Sequence, residues 1–338
     1  MQEFDRLITR VVYASEATIA PPVYSEMERI RDSALRHNVP LQINTALLYQ
    51  CGWFLQWKEG PAAEIFSLMK RLGRDQRHRD LRVLHSSEGP RLLDGPWSMA
   101  IVQAGDTHEA MGERVAEQER RMRAGISTGP PAVWRRLSTP LQGHADAADA
   151  AAEAYQRVLV CSAAGNGSFE LLGWLARSMS LDLVHRRFAG ETGLDVGTNL
   201  LDVFDPDAKR VIRVVAMARK GLSLALTRAL LPDYSHIVLL LSGSPERDLP
   251  LIERVADVCA GLPSGPVVVG VWSDHAAHRE PEGYARSFGL DYREVIADVL
   301  TPQSLWLALR PVLLEWGRAA NSSTAPTESG HLSFRLKR

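Results

Sequence analysis

The sequence predicts an α/β protein in two units, a ferredoxin-like α+β sandwich followed by a doubly wound α/β domain, and three observations carry the prediction. With 338 residues, 45% of them apolar and 23% charged, the chain has the composition of ordinary globular protein and room for about two domains. Strand-like and helix-like stretches alternate through residues 7–102 and again from residue 157 onward. Between the two blocks, Gly129-Pro130-Pro131 and an alanine-rich run suit a connection more than a core.

In the first unit, residues 7–15 (LITRVVYAS) have the β-branched and aromatic content of a strand, and residues 23–38 have helical spacing. Two apolar runs, 46–50 and 53–58, flank Cys51-Gly52, a tight hairpin turn in which glycine accepts positive φ. Pro61 opens a second helix over 62–72, and 80–87 and 97–102 read as two more strands. The order β-α-β-β-α-β-β lets two helices cover one face of a mixed sheet. A charged helix follows over 107–124, with Met111, Val115, Gln118 and Met122 in a seam and Glu117-Arg121 and Glu119-Arg123 as i,i+4 pairs. It either covers the sheet or joins two protomers in a homodimer.

In the second unit, 157–162, 200–205, 210–216, 236–241 and 266–272 read as strands, separated by helical stretches near 168–180, 222–231 and 249–260. The expected division is a first domain at 1–102, a helical extension and linker at 103–156, a second domain at 157–318, and a disordered tail at 319–338.

Charge and cysteine content exclude several classes. Thirty-nine Lys plus Arg against 40 Asp plus Glu leave a net charge of -1, without the basic excess that binding a phosphate backbone needs. Cys51, Cys161 and Cys259 are odd in number and far apart, which suits neither a disulfide framework nor a zinc site. The opening MQEFDRLITR is charged where a signal peptide is apolar, and no run reaches the length of a membrane span. The expectation is a cytoplasmic protein with no membrane or direct nucleic-acid partner.

Five strings occur in order over about residues 7–102: RVVYAS, RHNVPLQINTALLY, FLQWKEGP, DQRHRDLRVL and WSM. Together they resemble the BLUF family of blue-light sensors that use FAD, and the His37-Asn38 and Gln56-Trp57 pairs are similar to AppA-type light-responsive antirepressors. The resemblance implies FAD, with FMN or riboflavin as alternatives, lying between the two helices. It further implies a relay in which Tyr13 and Gln56 reach the flavin N5/O4 edge, with Trp97 and Met99 on the last strand completing the photoswitch. Asn38, His37, Ser15, Arg77 and His78 are the implied cofactor-binding residues. The chemistry suits these residue types. A tyrosine is an oxidisable phenol that also donates a proton, and a glutamine amide has a donor end and an acceptor end whose reversal rewrites a hydrogen-bond pattern.

Plainer roles stand beside these. Asn38 also suits the end of the first helix, Trp97 and Met99 at period two also suit core filling, and Arg77 and His78 also suit a solvated loop. Trp57 points away from Gln56 by strand alternation and reads as a packing residue. The sequence departs from the family at Ile43-Asn44-Thr45-Ala46, where the family has I-T-G-A, and at Lys58, where it has an apolar residue. Lys58 shares a strand face with Gln56, so its ammonium must reach water or be offset by Glu59 or the flavin phosphates. These departures bear on photocycle rate and flavin affinity.

The second unit resembles a degenerate Ras-like P-loop GTPase over about 157–317. A strand, the turn SAAGNGSF and a helix are placed as in a phosphate-binding loop, but Ser162 stands at the first glycine, Ser168 at the lysine and Phe169 at the magnesium-ligating Ser/Thr. Gly165 and Gly167 keep the turn. Met217-Ala218-Arg219-Lys220-Gly221 lacks the aspartate of DxxG, with Arg219 and Lys220 as stand-ins for the lost lysine, and Trp272-Ser273-Asp274-His275 keeps only Asp274 of the base-reading motif. Without its positioned cations such a site cannot stabilise phosphoryl transfer, so a non-enzymatic output that contacts a protein partner is expected. The alternatives are a light-regulated NTPase and a tetrapyrrole-binding antirepressor with His185 or His236 on iron. No G-x-S-x-G elbow supports a Ser162, His185 and Asp202 triad, and no GGDEF- or EAL-type signature is present.

Overall fold

Strand alternation in the first unit sorts its side chains onto two faces, and each face has its own helical cover. The structure is a computed structural model that describes residues 7–103, 106–126, 128–139, 155–191, 196–262, 264–273 and 281–315; Asp274 and the 319–338 tail lie outside the described residues. The elements are β1 (Ile8–Ala17), α1 (Val23–Asn38), β2 (Asn44–Gln50), β3 (Trp53–Gly60), α2 (Ala62–Leu72), β4 (His78–Gly89) and β5 (Trp97–Gln103), in the order expected. Cys51 and Gly52 both take positive φ, 50° and 80°, which matches the right-handed twist of the β2–β3 hairpin. β1 lies between β3 and β4, antiparallel to both, while β2 pairs with β3 antiparallel and with β5 parallel.

On one face, α1 covers Leu47, Phe54, Trp97 and Met99, and α2 covers Val11, Tyr13 and Ile43. The other face presents Val12, Leu48, Leu55 and Trp57. There α3 (His108–Arg123) starts on Thr107, whose Oγ1 accepts from the Ala110 N–H at 3.1 Å. Met111, Val115 and Gln118 are buried and Met122 is 36% exposed, so most of the seam covers the sheet of its own chain. Glu119 pairs with Arg123 four residues on at 2.5 Å, and Glu117 pairs with Arg120 three residues on at 2.5 Å.

Residues expected to connect the units form α4 (Pro130–Ser138). The prolines that read as loop punctuation sit at the first helical positions, where a fixed φ and a missing N–H cost nothing. Val133, Trp134 and Leu137, at helical spacing, are buried on the same face as α3, with the Trp134 ring 6.4 Å from that of Trp57.

The second unit comprises β6 (Tyr155–Ser162), α5 (Gly167–Met179), β7 (Val184–Ala189), β8 (Val196–Asp205), β9 (Arg210–Met217), α6 (Ala225–Leu230), β10 (His236–Leu240), α7 (Pro245–Cys259), β11 (Val267–Trp272), α8 (Pro281–Ser287), β12 (Tyr292–Ile296) and α9 (Pro302–Leu314). β9, β6, β10, β11 and β12 run parallel, with helices on both faces; β8 and β7 continue antiparallel beyond β9. β7 and β12 are absent from the sequence prediction. β7 (VHRRFA) carries adjacent arginines, and β12 (YREVI) is a short edge strand with charged positions.

The two cores expected from length merge. One 12-stranded sheet runs β12-β11-β10-β6-β9-β8-β7-β5-β2-β3-β1-β4. Its junction is the antiparallel pairing of β5 with β7, in register Met99↔Ala189, Ala100↔Phe188, Ile101↔Arg187, Val102↔Arg186 and Gln103↔His185. The apolar free edge of β5 is thereby closed. Beside it the Leu226 N–H donates to Ser98 Oγ at 3.3 Å, and Arg228 meets Asp94 at 2.7 Å. Arg186 donates to the Ser138 carbonyl, and Arg213, held by Asp202 through two 2.7 Å bonds, donates to the Thr139 carbonyl at 2.6 Å. The second unit's arginines thus cap the carbonyl end of α4.

One apolar cluster passes from Trp57 and Trp134 to Leu226 and Leu231 across the junction. Trp134→Ala should therefore cost about 3–5 kcal/mol, the usual range for a buried tryptophan, and should lower the unfolding midpoint of both units together. Denaturant unfolding followed by far-UV dichroism and tryptophan fluorescence checks this; two transitions of which only one moves would contradict it.

Candidate cofactor site

Period-two alternation places Tyr13 and Ser15 of β1, Gln56 and Lys58 of β3, and Trp97 and Met99 of β5 on the face covered by α1 and α2. Between the helices and this face lies a cavity of about 220 Å³, lined among others by His37, Asn38, Phe54, Gln56, Lys58, Arg77, His78 and Trp97. Tyr13 is the direct cross-strand partner of Gln56, and Thr45 that of Lys58. Met99 lies deeper, packed with Trp97, Leu47 and Ala189 of the second unit.

Among the described residues, four buried polar atoms on or beside this face have no hydrogen-bond partner: Tyr13 Oη, Ser15 Oγ, His78 Nε2 and Trp97 Nε1. Buried polar groups are ordinarily paired, so the face is shaped for a ligand that offers acceptors along its edge. A flavin ring, with ring nitrogens and carbonyl oxygens, fits that demand. Burial pushes the Tyr13 phenol well above its ordinary value, with Asp75 adding to the rise and Gln56 and Arg77 opposing it. The phenol therefore keeps its proton at neutral pH.

The other implied cofactor residues have separate positions. Asn38, buried at the end of α1, takes both of its suggested places: its carbonyl accepts from Ile43 N–H at 3.0 Å, and its side chain borders the cavity and reaches Thr45 Oγ1 at 3.5 Å. His37 lies at the rim with Nδ1 2.7 Å from the Ser33 carbonyl. Arg77 is held by Asp75 through bonds of 2.9, 3.1 and 2.5 Å, which raise the guanidinium and lower the carboxyl. Burial lowers the imidazole of His78, which meets the Phe54 ring edge-on.

Lys58 is 3% exposed; its Nζ donates to Thr45 Oγ1 at 3.3 Å, and burial lowers the ammonium to about 7. Glu59 does not offset it. The next residue on a strand faces the other way, and Glu59 instead accepts from the Leu92 and Leu93 N–H groups at 2.7 and 2.8 Å and from Trp57 Nε1 at 3.0 Å. Asp75 and Thr45 escaped the sequence reading as site residues. Thr45 was accessible by counting outward from the Cys51-Gly52 turn, which sets it opposite Lys58.

In the second unit, the β6–α5 turn gathers Ser162, Gly165, Gly167 and Ser168. Ser162 Oγ accepts from the Ser168 N–H at 2.8 Å, and Arg219 donates to the Ala163 carbonyl while its own carbonyl accepts from Arg254 at 3.3 Å. The chain itself thus meets the Ser168 amide in the first turn of α5. Phe169 packs into the α5–α9 core. His185 is 2.9 Å from Asn199, and His236, lowered by burial to about 4, is 3.1 Å from Gln156. Among the described residues there is no cluster of three or more His, Cys, Asp or Glu that could hold a metal.

Residues 8–100 match the family model BLUF, sensors of blue light using FAD. Over 96 residues, 28% of this chain, it is 35% identical to photoactivated adenylate cyclase subunit beta of Euglena longa and 30% identical to that of Euglena gracilis. The chain spans 11% of the length of each of these relatives. The solved dark-state structure of BlrB, a BLUF protein, aligns over 40% of this chain and 94% of its own at 20% identity, with a TM-score of 0.27. No described helix is long and apolar enough to cross a membrane. Residues 8–100 are a BLUF domain, of the family that binds FAD as a sensor of blue light.

Proposed function

We propose that the whole chain is a cytoplasmic blue-light receptor whose BLUF domain drives a non-enzymatic, GTPase-like second domain, and that the output is a contact with a protein partner. The observation that carries the proposal is the pairing of β5 with β7: Met99 stands opposite Ala189, in one apolar cluster with Trp97. The ladder links the two units directly, strand to strand.

When bound, the flavin supplies blue-light absorption and an excited state that draws an electron. Tyr13 is the oxidisable phenol, protonated because it is buried, with Oη free to give its proton toward the amide of Gln56 across the ladder. Reversal of that amide exchanges donor for acceptor beside Trp97, whose Nε1 has no other partner. A change in what Trp97 and Met99 pack against displaces β5, and a strand cannot shift without its hydrogen-bonded neighbour. The second domain then favours one of two arrangements, to the extent that its partner distinguishes them.

One feature supports the GTPase-like reading of the second domain and another its non-enzymatic character. The order of α5, the β8–β9 hairpin, α6, β10, α7 and β11 along the chain follows the Ras-like resemblance. Serine and phenylalanine occupy the positions of the phosphate-binding cation and the magnesium ligand, and Ser162 caps the helix itself. The cyclase activity in the names of the Euglena relatives belongs to those proteins. A light-regulated NTPase would require nucleotide turnover that depends on illumination. Against a tetrapyrrole ligand, His185 and His236 are each engaged by a neighbouring side chain.

The purified protein should be yellow, and its flavin bands should shift reversibly to the red under blue light; a colourless protein would contradict the proposal. Gln56→Leu should keep the flavin and lose the shift, and a full shift in that variant would remove the relay. Calorimetry with GTP and ATP should give no binding heat; a saturable isotherm would contradict the non-enzymatic reading of the second domain.

A further inference from the structure

We infer that Lys58 is a flavin-binding residue whose ammonium donates a hydrogen bond to an acceptor on the flavin ring, at the end of the cavity where Asn38 and Thr45 lie. The inference rests on the flavin reading and names a contact that the family's apolar residue at this position cannot make. Lys58 follows Gln56 on the same face of β3, about 7 Å along the strand. Both border the cavity, as does Asn38.

Satisfaction of donors is the first argument. An ammonium has three N–H groups and no acceptor. Among the described residues the only acceptor for Lys58 is Thr45 Oγ1, which also faces Asn38 Nδ2, and no carboxylate forms an ion pair with it. At 3% exposure the remaining donors must be met by whatever fills the cavity.

Position along the sheet is the second. Lys58 stands opposite Val11 of β1, whereas His78 stands opposite Ala17, on the far side of the Tyr13–Gln56 pair. The backbone of His78 therefore lies further along the sheet than that of Lys58, while its imidazole borders the same cavity and feels the Lys58 charge. The shared contact of Lys58 and Asn38 with Thr45 Oγ1 places the ammonium beside Asn38, the residue that would hold the ring, and FAD against riboflavin separates a ring contact from a phosphate contact. The cost of burying the amine is already borne by the folded protein, so a charged hydrogen bond gained on binding adds to affinity.

The charged and titratable groups facing the same space are His37 on α1, Arg71 on α2, Asp75 and Arg77 paired to each other, His78 on β4 and Tyr13 on β1. None places an unpaired carboxylate on Lys58. Burial lowers the amine to about 7, so above that pH a flavin that needs the ammonium must bind together with a proton.

The test is equilibrium binding of FAD and of riboflavin, which lacks phosphate, to the full-length protein and to Lys58→Met between pH 6 and 9. At pH 6 the wild type should bind both flavins about tenfold or more tightly than the variant, by a similar factor for each. Its affinity should fall as pH rises while that of the variant stays flat, which a merely structural role for Lys58 would not produce. Equal affinities, or a pH slope that survives in Lys58→Met and so belongs to His37 or His78, would overturn the inference. A loss confined to FAD would move the contact to the phosphates and overturn the ring assignment. If the wild type binds neither flavin, the flavin reading itself fails; if it binds them and Lys58→Met binds as well, only the assignment of Lys58 does.

Discussion

β5 enters the structure as the edge of a five-stranded sheet, and the ladder that β7 adds to it is the constraint on which the rest depends. An apolar strand with an unpaired edge is exposed to association with any other strand. Here the partner is built into the same chain, and the pairing turns two sheets into one. Because strand alternation has period two, the register also fixes which side chains meet: a slip by one residue would turn Ala189 away from Met99 and Trp97. The Ser98 contact to Leu226 and the Arg228–Asp94 pair flank the ladder, and they agree with that one register.

The two sites differ in how their polar groups are met. The BLUF face leaves Tyr13, Ser15, His78 and Trp97 without partners and buries an ammonium against a single hydroxyl, an arrangement that is costly until a ligand supplies acceptors. The β6–α5 turn has the opposite character, since Ser162 and Arg219 satisfy it from within the chain. Glu59 belongs to neither site. It holds the Leu92 and Leu93 amides from the opposite face and so anchors the segment that leads into β5.

Much of the first unit was legible in the sequence because its signals are local. Cys51-Gly52 announced the hairpin, Pro61 the start of α2, and the alternation through VVYAS and FLQWKEG the two faces. The placement of Trp57 against the core and of Gln56 toward the helices follows from the same period. What escaped depends on residues distant in the chain. Arg186 and Arg213 are buried because carbonyls at the end of α4 and the carboxylate of Asp202 meet them. No local pattern announces that residues 99–103 pair with 185–189, and the adjacent Arg186 and Arg187 hid β7. Proline at 130 and 131 was ambiguous in principle, since it marks both loops and helix starts.

Hydrogen–deuterium exchange of the full-length, flavin-loaded protein, in darkness and under blue light, tests the route from flavin to second domain most directly. The account predicts that illumination changes the protection of β5 and, with it, of Val184–Ala189 in β7 and the Leu226 amide, and that Gln56→Leu abolishes all of these changes. A light-induced spectral shift accompanied by altered exchange in α3 but none in β7 or α6 would contradict it.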